Sequence, residues 1–239
     1  MRGLRLALGF LTTLPVRPPK QLTPGDLGRA AAWYPLIGLA MGGILWWLSA
    51  GLSAVFPSML KGALLLAAWV AMSGGLHLDG WADCCDGLFV SAPQERRLAI
   101  LRDTQLGTFA AVGLFVLLAL KLSALASLAE PQALLLAPAL GRGLLLPLAK
   151  MKPARPEGLG AALHRELNWA SFLPLALVLL TALWVGPRGL AAVAVGLVVG
   201  LLWGWLARRR LGGHTGDVLG GACELIELSV LFVFLWRIA

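Results

Sequence analysis

Charge is scarce in this 239-residue chain: 13% of its residues are charged, 59% are hydrophobic and the mean hydropathy is +0.81. A soluble domain carries about 25% charged residues, so the composition excludes an ordinary water-soluble fold and places the chain in a bilayer. Cysteine is equally sparse. Of three, Cys84 and Cys85 are adjacent, which makes no disulfide framework and lacks the spaced pattern of a zinc site. A cleavable signal peptide is not expected either. Residues 4–16 form a short apolar run broken by Arg5 and Pro15, with no small-residue cleavage site behind it, so an amphipathic or re-entrant segment is expected. No internal repeat is visible, which argues against a transporter built from repeated halves. The net charge of +8 does not indicate a nucleic-acid partner, because the basic residues lie in segments between apolar spans.

What is abundant is long apolar sequence, with ten Trp, 29 Gly and 14 Pro, a mixture that bilayer helices tolerate. After a polar connector at 17–29, Thr23-Pro24-Gly25-Asp26 reads as a helix start near Pro24. Spans are expected at 33–56, 60–76, 108–128, 132–150, 168–186, 189–207 and 218–237. The fold class is therefore all-α, a polytopic bundle of six or seven transmembrane helices forming one catalytic domain over 1–239. The N-terminal arm and the segments 77–107, 150–167 and 208–217 hold fifteen of the twenty Lys and Arg. The positive-inside rule makes them cytoplasmic. Trp46-Trp47 reads as an interface anchor. Small-residue faces such as GLAMGG (38–43) suit contacts within or between chains, so a homo-oligomer stays open.

Residues 74–87, GGLHLDGWADCCDG, hold three of the twelve carboxylates. Asp79, Asp83 and Asp86 are spaced i, i+4, i+7, within about 60° on one helical face at roughly 100° per residue. Like charges stacked this way repel, so a cation is expected among them. A second acidic group lies in 211–227, LGGHTGDVLGGACELIE. Asp217 and Glu224 share a helical face, and Glu224 and Glu227 fall inside the last span, where a carboxylate marks a site by default. The blander reading has Asp217 as a helix cap and both Glu in the headgroup zone beside Arg208 to Arg210.

Carboxylates without His or Cys partners favour Mg²⁺ or Mn²⁺ over zinc. The basic neighbours Arg102 (beside Asp103), Lys150, Lys152 and Arg155, with Gly212-Gly213 before His214 and Thr215, suit a phosphate. Together these groups suit in-line displacement at a pyrophosphate. From residues alone, the chain reads as a Mg²⁺-dependent membrane enzyme transferring a phosphoryl-linked group. His77 and His214 flank the acidic motifs and are candidate substrate contacts. His164 is a weaker one, and Thr108 reads as a cap.

Three stretches, HLDGWADCCDG, ERRLAILRDTQLGTFA (95–110) and LGGHTGDVLGGACELIE, resemble the signatures of the cobalamin synthase family, the adenosylcobinamide-GDP ribazoletransferases. FLTTLPV (10–16), WYPLIGLAMG (33–42) and ARPEGLG (154–160) support the match, which covers nearly the whole chain in order. Trp81 replaces an expected aliphatic residue and Cys84-Cys85 replace small or hydroxyl ones; the acidic positions are intact. The resemblance implies that a ribose hydroxyl of α-ribazole, or of its 5′-phosphate, attacks the pyrophosphate of adenosylcobinamide-GDP with Mg²⁺ present. GMP leaves, and adenosylcobalamin or its 5′-phosphate forms. The resemblance also implies the cell inner membrane as the location. In this scheme Asp79, Asp83, Asp86, Asp217 and Glu224 are metal ligands, and one of the first three takes the hydroxyl proton. His77, Arg102, Asp103, Lys152, Arg155, His214 and Thr215 contact substrate. Three rivals remain at this point, the weakest an accessory subunit with no activity of its own. CDP-alcohol phosphotransferases of phospholipid synthesis share the Asp-rich pattern, but their motif has an Arg that this chain lacks after Ala82. A membrane transporter would place its acids at the midplane.

Overall fold

In the computed structural model, which describes residues 1–17, 19 and 21–236, the N-terminal run folds as α1 (Arg2–Leu11). Gly3, Ala7 and Leu11 are buried along one face while Arg2 and Arg5 are exposed. Ten residues rise only about 15 Å, too short to cross a bilayer, so α1 is amphipathic as expected. Two positions of the 17–29 connector, and the expected end of the last span at 237, lie outside the described residues.

The next helix, α2 (Asp26–Ala31), starts two residues later than the sequence suggests. Gly25 is its left-handed N-cap, and the Asp26 carboxylate turns back to accept from the Thr23 N–H and hydroxyl, both at 2.8 Å. Arg2 and Arg29 neutralise this buried carboxylate. α3 (Tyr34–Ser53) follows. α4 (Ser58–Ser73) and α5 (Leu76–Phe89) meet at 92°. The break is made by Gly74 and Gly75, with φ of 64° and 74°, a conformation that disfavours side chains. Carbonyls freed at the break need partners, and Thr13 supplies them, donating its N–H to Met72 (3.0 Å) and its hydroxyl to Ala71 (2.9 Å).

α6 (Gln94–Ile100) leads to α7 (Thr108–Ser127). α8 (Gln132–Gly143) and α9 (Leu145–Ala149) together form one apolar segment. α10 (Leu159–Glu166), a 3₁₀ turn (Trp169–Phe172), α11 (Leu175–Val185), α12 (Pro187–Leu211) and α13 (Gly216–Leu235) complete the chain. Among the described residues there is no strand, only an isolated bridge between Pro153 and His214. Five segments are long and apolar enough to cross a membrane. The count rises to seven if the bent pairs, α4 with α5 and α10 with α11, each make one span. The expected multi-pass helical bundle is present.

Two expectations about position change. The acidic motif lies not in a loop but in a helix of its own, α5, set at 92° to α4 across the Gly74-Gly75 break. Gly62 abuts Ala126 and Trp69 underlies Lys121, so α4 runs antiparallel to α7, while Cys85 at Gly113 and Asp86 at Gly107 bring the end of α5 across the start of α7. The GLAMGG face, open from sequence to contacts within or between chains, is used within the chain. A Cβ at Gly38 would lie 2.4 Å from the Pro138 carbonyl, and one at Gly42 2.6 Å from that of Leu134, so α3 and α8 pack backbone to backbone.

Candidate active site

α5 presents its carboxylates to the start of α13. The approach is close because both helices have glycine there: a Cβ at Gly80 would fall 2.8 Å from the Asp217 carbonyl and 3.1 Å from Gly220 Cα. Asp79, Asp86 and Asp217 all act on the charge of Asp83. Asp79 is exposed and Asp83 and Asp217 are half-buried. Thr215, rather than Asp217, is the N-cap of α13. Its hydroxyl accepts from Val218 N–H at 3.3 Å and donates to Asp217 Oδ2 at 3.0 Å, which fixes that carboxylate.

A cleft of about 300 Å³ opens beside this group, walled by Asp79, Asp217, Arg155, His77, His214 and Thr215. The bridge between Pro153 and His214 brings the Arg155 loop here. His214 N–H donates to the Lys152 carbonyl at 3.1 Å and Ala154 N–H to that of His214 at 2.8 Å. Gly213 has to be glycine, since its Cβ would sit 2.2 Å from the Lys152 carbonyl. Gly212 is the left-handed C-cap of α12. The glycine pair read as a phosphate neighbour thus serves the turn and this contact.

The cleft carries unanswered hydrogen-bonding capacity. His214 is 1% exposed with neither ring nitrogen partnered, and His77 is 3% exposed with Nδ1 unpartnered. Buried polar groups without protein partners are rare and mark places for ordered water or a ligand. Burial, with a smaller push from the His164 ring, lowers the His214 pKa below the ordinary imidazole value, so this ring is neutral at neutral pH. Arg155 Nε and Nη2 are also unpartnered, and Nη2 stands 4.0 Å from Asp217 Oδ2. Burial, followed by the field of Arg102, lowers the Arg155 pKa. Arg102 itself is exposed and does not line the cleft, so it acts on Arg155 through its field alone.

The other candidates are placed differently. Asp86 accepts from the N–H groups of Gly107 (2.7 Å) and Ala110 (2.9 Å), so it, and not Thr108, caps α7. Asp86→Ala should therefore cost about 1–2 kcal/mol of stability, read as a thermal-unfolding midpoint a few degrees lower in detergent, with Asp86→Asn milder. Asp103 accepts from Gln105 N–H in a local exposed turn, and Lys152 is exposed and outside the cleft. Glu224 is not brought to the aspartates. It and Glu227 lie in the bundle core, away from the arginines at 208–210, with Lys121 Nζ 2.5 Å from Glu224 Oε2 and 2.6 Å from Glu227 Oε2. Arg142 pairs with the other oxygen of Glu227.

Lys121, Arg142, Phe10 and Tyr34 were missed from sequence. Lys121 and Arg142 had a usable signal, as lone cations inside apolar runs. The other two line the cleft with rings 6.2 Å apart, and FLTTLPV and WYPLIGLAMG already pointed to their neighbourhood.

Among the described residues, no three His, Cys, Asp or Glu side chains form a ready metal cage. The donor set beside the cleft is nonetheless carboxylate oxygen on two packed helices, with Arg155 at 4.0 Å as its one paired cation. That fits a hard divalent cation whose coordination is completed by water and substrate phosphate.

Residues 3–235 match the family model described as cobalamin-5-phosphate synthase. An adenosylcobinamide-GDP ribazoletransferase of Pseudomonas fluorescens is 47% identical over 236 residues, covering 95% of this chain and 96% of the relative. Proteins of the same name from Stutzerimonas stutzeri and Pseudomonas aeruginosa are each 44% identical, covering 97% of this chain and 96% of theirs. No solved structure matches. With the carboxylate pair of helices, the Arg155 loop and the match running through every one of them, the chain belongs to the cobalamin-5-phosphate synthase family.

Proposed function

We propose that this chain is an adenosylcobinamide-GDP ribazoletransferase, joining α-ribazole or its 5′-phosphate to adenosylcobinamide-GDP in the last stage of nucleotide-loop assembly. The observation that carries this reading is one cleft holding Asp79, Asp217 and Arg155, with two buried histidines unpartnered beside them. The ribose hydroxyl oxygen forms a bond to the cobinamide-bearing phosphorus. The bond from that phosphorus to the bridging oxygen breaks, GMP leaves with the oxygen, and the hydroxyl proton passes to a carboxylate of the α5 face. Asp79, Asp83 and Asp217 would hold Mg²⁺, which when bound supplies positive charge to the pyrophosphate. Asp86 orients the start of α7 beside them. Arg155, backed by Arg102, receives a phosphate oxygen, and neutral His214 and Thr215 offer it hydrogen bonds. The excess of Lys and Arg in the segments around this face supports a cytoplasmic orientation, with the bundle in the inner membrane as part of the same reading. Family membership leaves the phospholipid phosphotransferase and transporter readings unsupported.

The test is purified protein in liposomes given both substrates, with and without Mg²⁺. Mg²⁺-dependent GMP release matched by corrinoid product is expected; well-folded protein that yields neither would overturn the reading. Arg155→Ala should raise the KM for adenosylcobinamide-GDP roughly tenfold to a hundredfold, the loss of one charge-assisted phosphate contact. Its KM for α-ribazole should stay near the wild-type value in the same steady-state assay.

A further inference from the structure

Asp79 stands in the wall between two cavities. One is the polar cleft above. The other, about 690 Å³ and more open, lies where α5, α7 and the Gly74-Gly75 break meet. Its walls are Leu78, Ala82, Leu106, Leu114 and Leu118, and Asp79 is its one ionisable group among the described residues. The two cavities share Phe10, Leu76 and Asp79. Both volumes fall near the range of small-molecule sites, about 300–1,000 Å³.

In-line displacement requires the attacking and leaving oxygens on opposite sides of phosphorus. Two reactants therefore approach from two directions and meet at one point. Here the two cavities that meet at Asp79 differ in chemistry. The cleft with Arg155, His214 and Thr215 suits an anionic nucleotide as leaving group. The second cavity offers five leucines, Ala82 and the Phe10 ring, with Ser73 and Asp79 its polar side chains among the described residues, and so suits a flat, uncharged aromatic ring. We infer that the second cavity receives the base of the attacking riboside, and that Leu114 and Leu118 are its specificity-determining contacts. Asp79 then lies where the riboside hydroxyl reaches the phosphorus. The helix break borders this cavity, since Gly74 and Gly75 are part of its wall.

This assignment rests on the transfer reaction proposed above, and its test keeps the two apart. Leu114→Trp and, separately, Leu118→Trp would be reconstituted and assayed with each substrate varied in turn. Both leucines are only partly buried, so the larger ring can be accommodated without unpacking the core. The expected result is a KM for α-ribazole at least tenfold higher, with the KM for adenosylcobinamide-GDP within twofold of wild type. A riboside KM unchanged in both variants, as when lipid chains occupy the cavity, would overturn the assignment. So would an equal rise for both substrates, or a rise confined to adenosylcobinamide-GDP. Wild-type protein without GMP release would instead overturn the transfer reaction itself.

Discussion

Asp83→Asn is expected to reduce kcat/KM by roughly a thousandfold or more while leaving the unfolding midpoint equal to or above that of the wild type. A thousandfold loss corresponds to about 4 kcal/mol of transition-state stabilisation, the scale of removing a charge-bearing group from a preorganised site. The stability half of the prediction separates function from structure. Asp83 stands among Asp79, Asp86 and Asp217, so in the absence of ligand its charge only repels. Asn keeps the shape and removes that repulsion. A residue retained for packing would show the opposite pattern, a lower midpoint with activity falling in proportion to folded protein. Steady-state rates and thermal unfolding in the same detergent decide it; retained turnover would sink the metal-ligand assignment. Asp79→Asn should lose activity similarly.

The second large effect lies deeper in the bundle. Lys121→Met is expected to lower stability by about 3–5 kcal/mol, the cost of stranding a charge in a buried pair, or roughly 6–20 °C in the unfolding midpoint. Lys121 is 3% exposed and answers both Glu224 and Glu227, while its ammonium also lies 4.7 Å from the Trp69 ring centroid. Arg142 is within ion-pair distance of Glu227 and reaches Glu224 through its field alone, so without Lys121 the Glu224 carboxylate has no ion-pair partner among the described residues. Adding Glu224→Gln to Lys121→Met should recover much of the loss, because no unpaired charge remains. A double variant as unstable as the single would mean that Lys121 acts through its contact with Trp69.

The same cluster shows where reading the sequence stops. Glu224 sits seven residues after Asp217, and that spacing puts both on one side of an ideal helix, so a shared ligand was the natural expectation. Whether two residues on one face reach the same ion depends on depth. Asp217 is at the mouth, in the first turn of α13, whereas Glu224 lies two turns further in, opposite Lys121. Spacing encodes angle, while a partner on another helix decides depth. Asp86 teaches the same point, since its place on the acidic face was legible but the two N–H groups of α7 that it caps were not.

The amino-acid sequence by itself determined the membrane class, the approximate spans, the helical face carrying Asp79, Asp83 and Asp86, and the family. All of these follow from composition, period or contiguous motifs, which are local properties. Only the tertiary structure decided that GLAMGG packs within the chain and that the acidic motif occupies a separate helix turned 92° from α4. It also decided that Arg155 reaches Asp217 through a bridge between segments about sixty residues apart. Each of these is set by close approach between distant backbones, at Gly38 against Pro138, Gly80 against Asp217 and Gly213 against Lys152. A glycine in the sequence announces that something can come near; the fold alone determines what does.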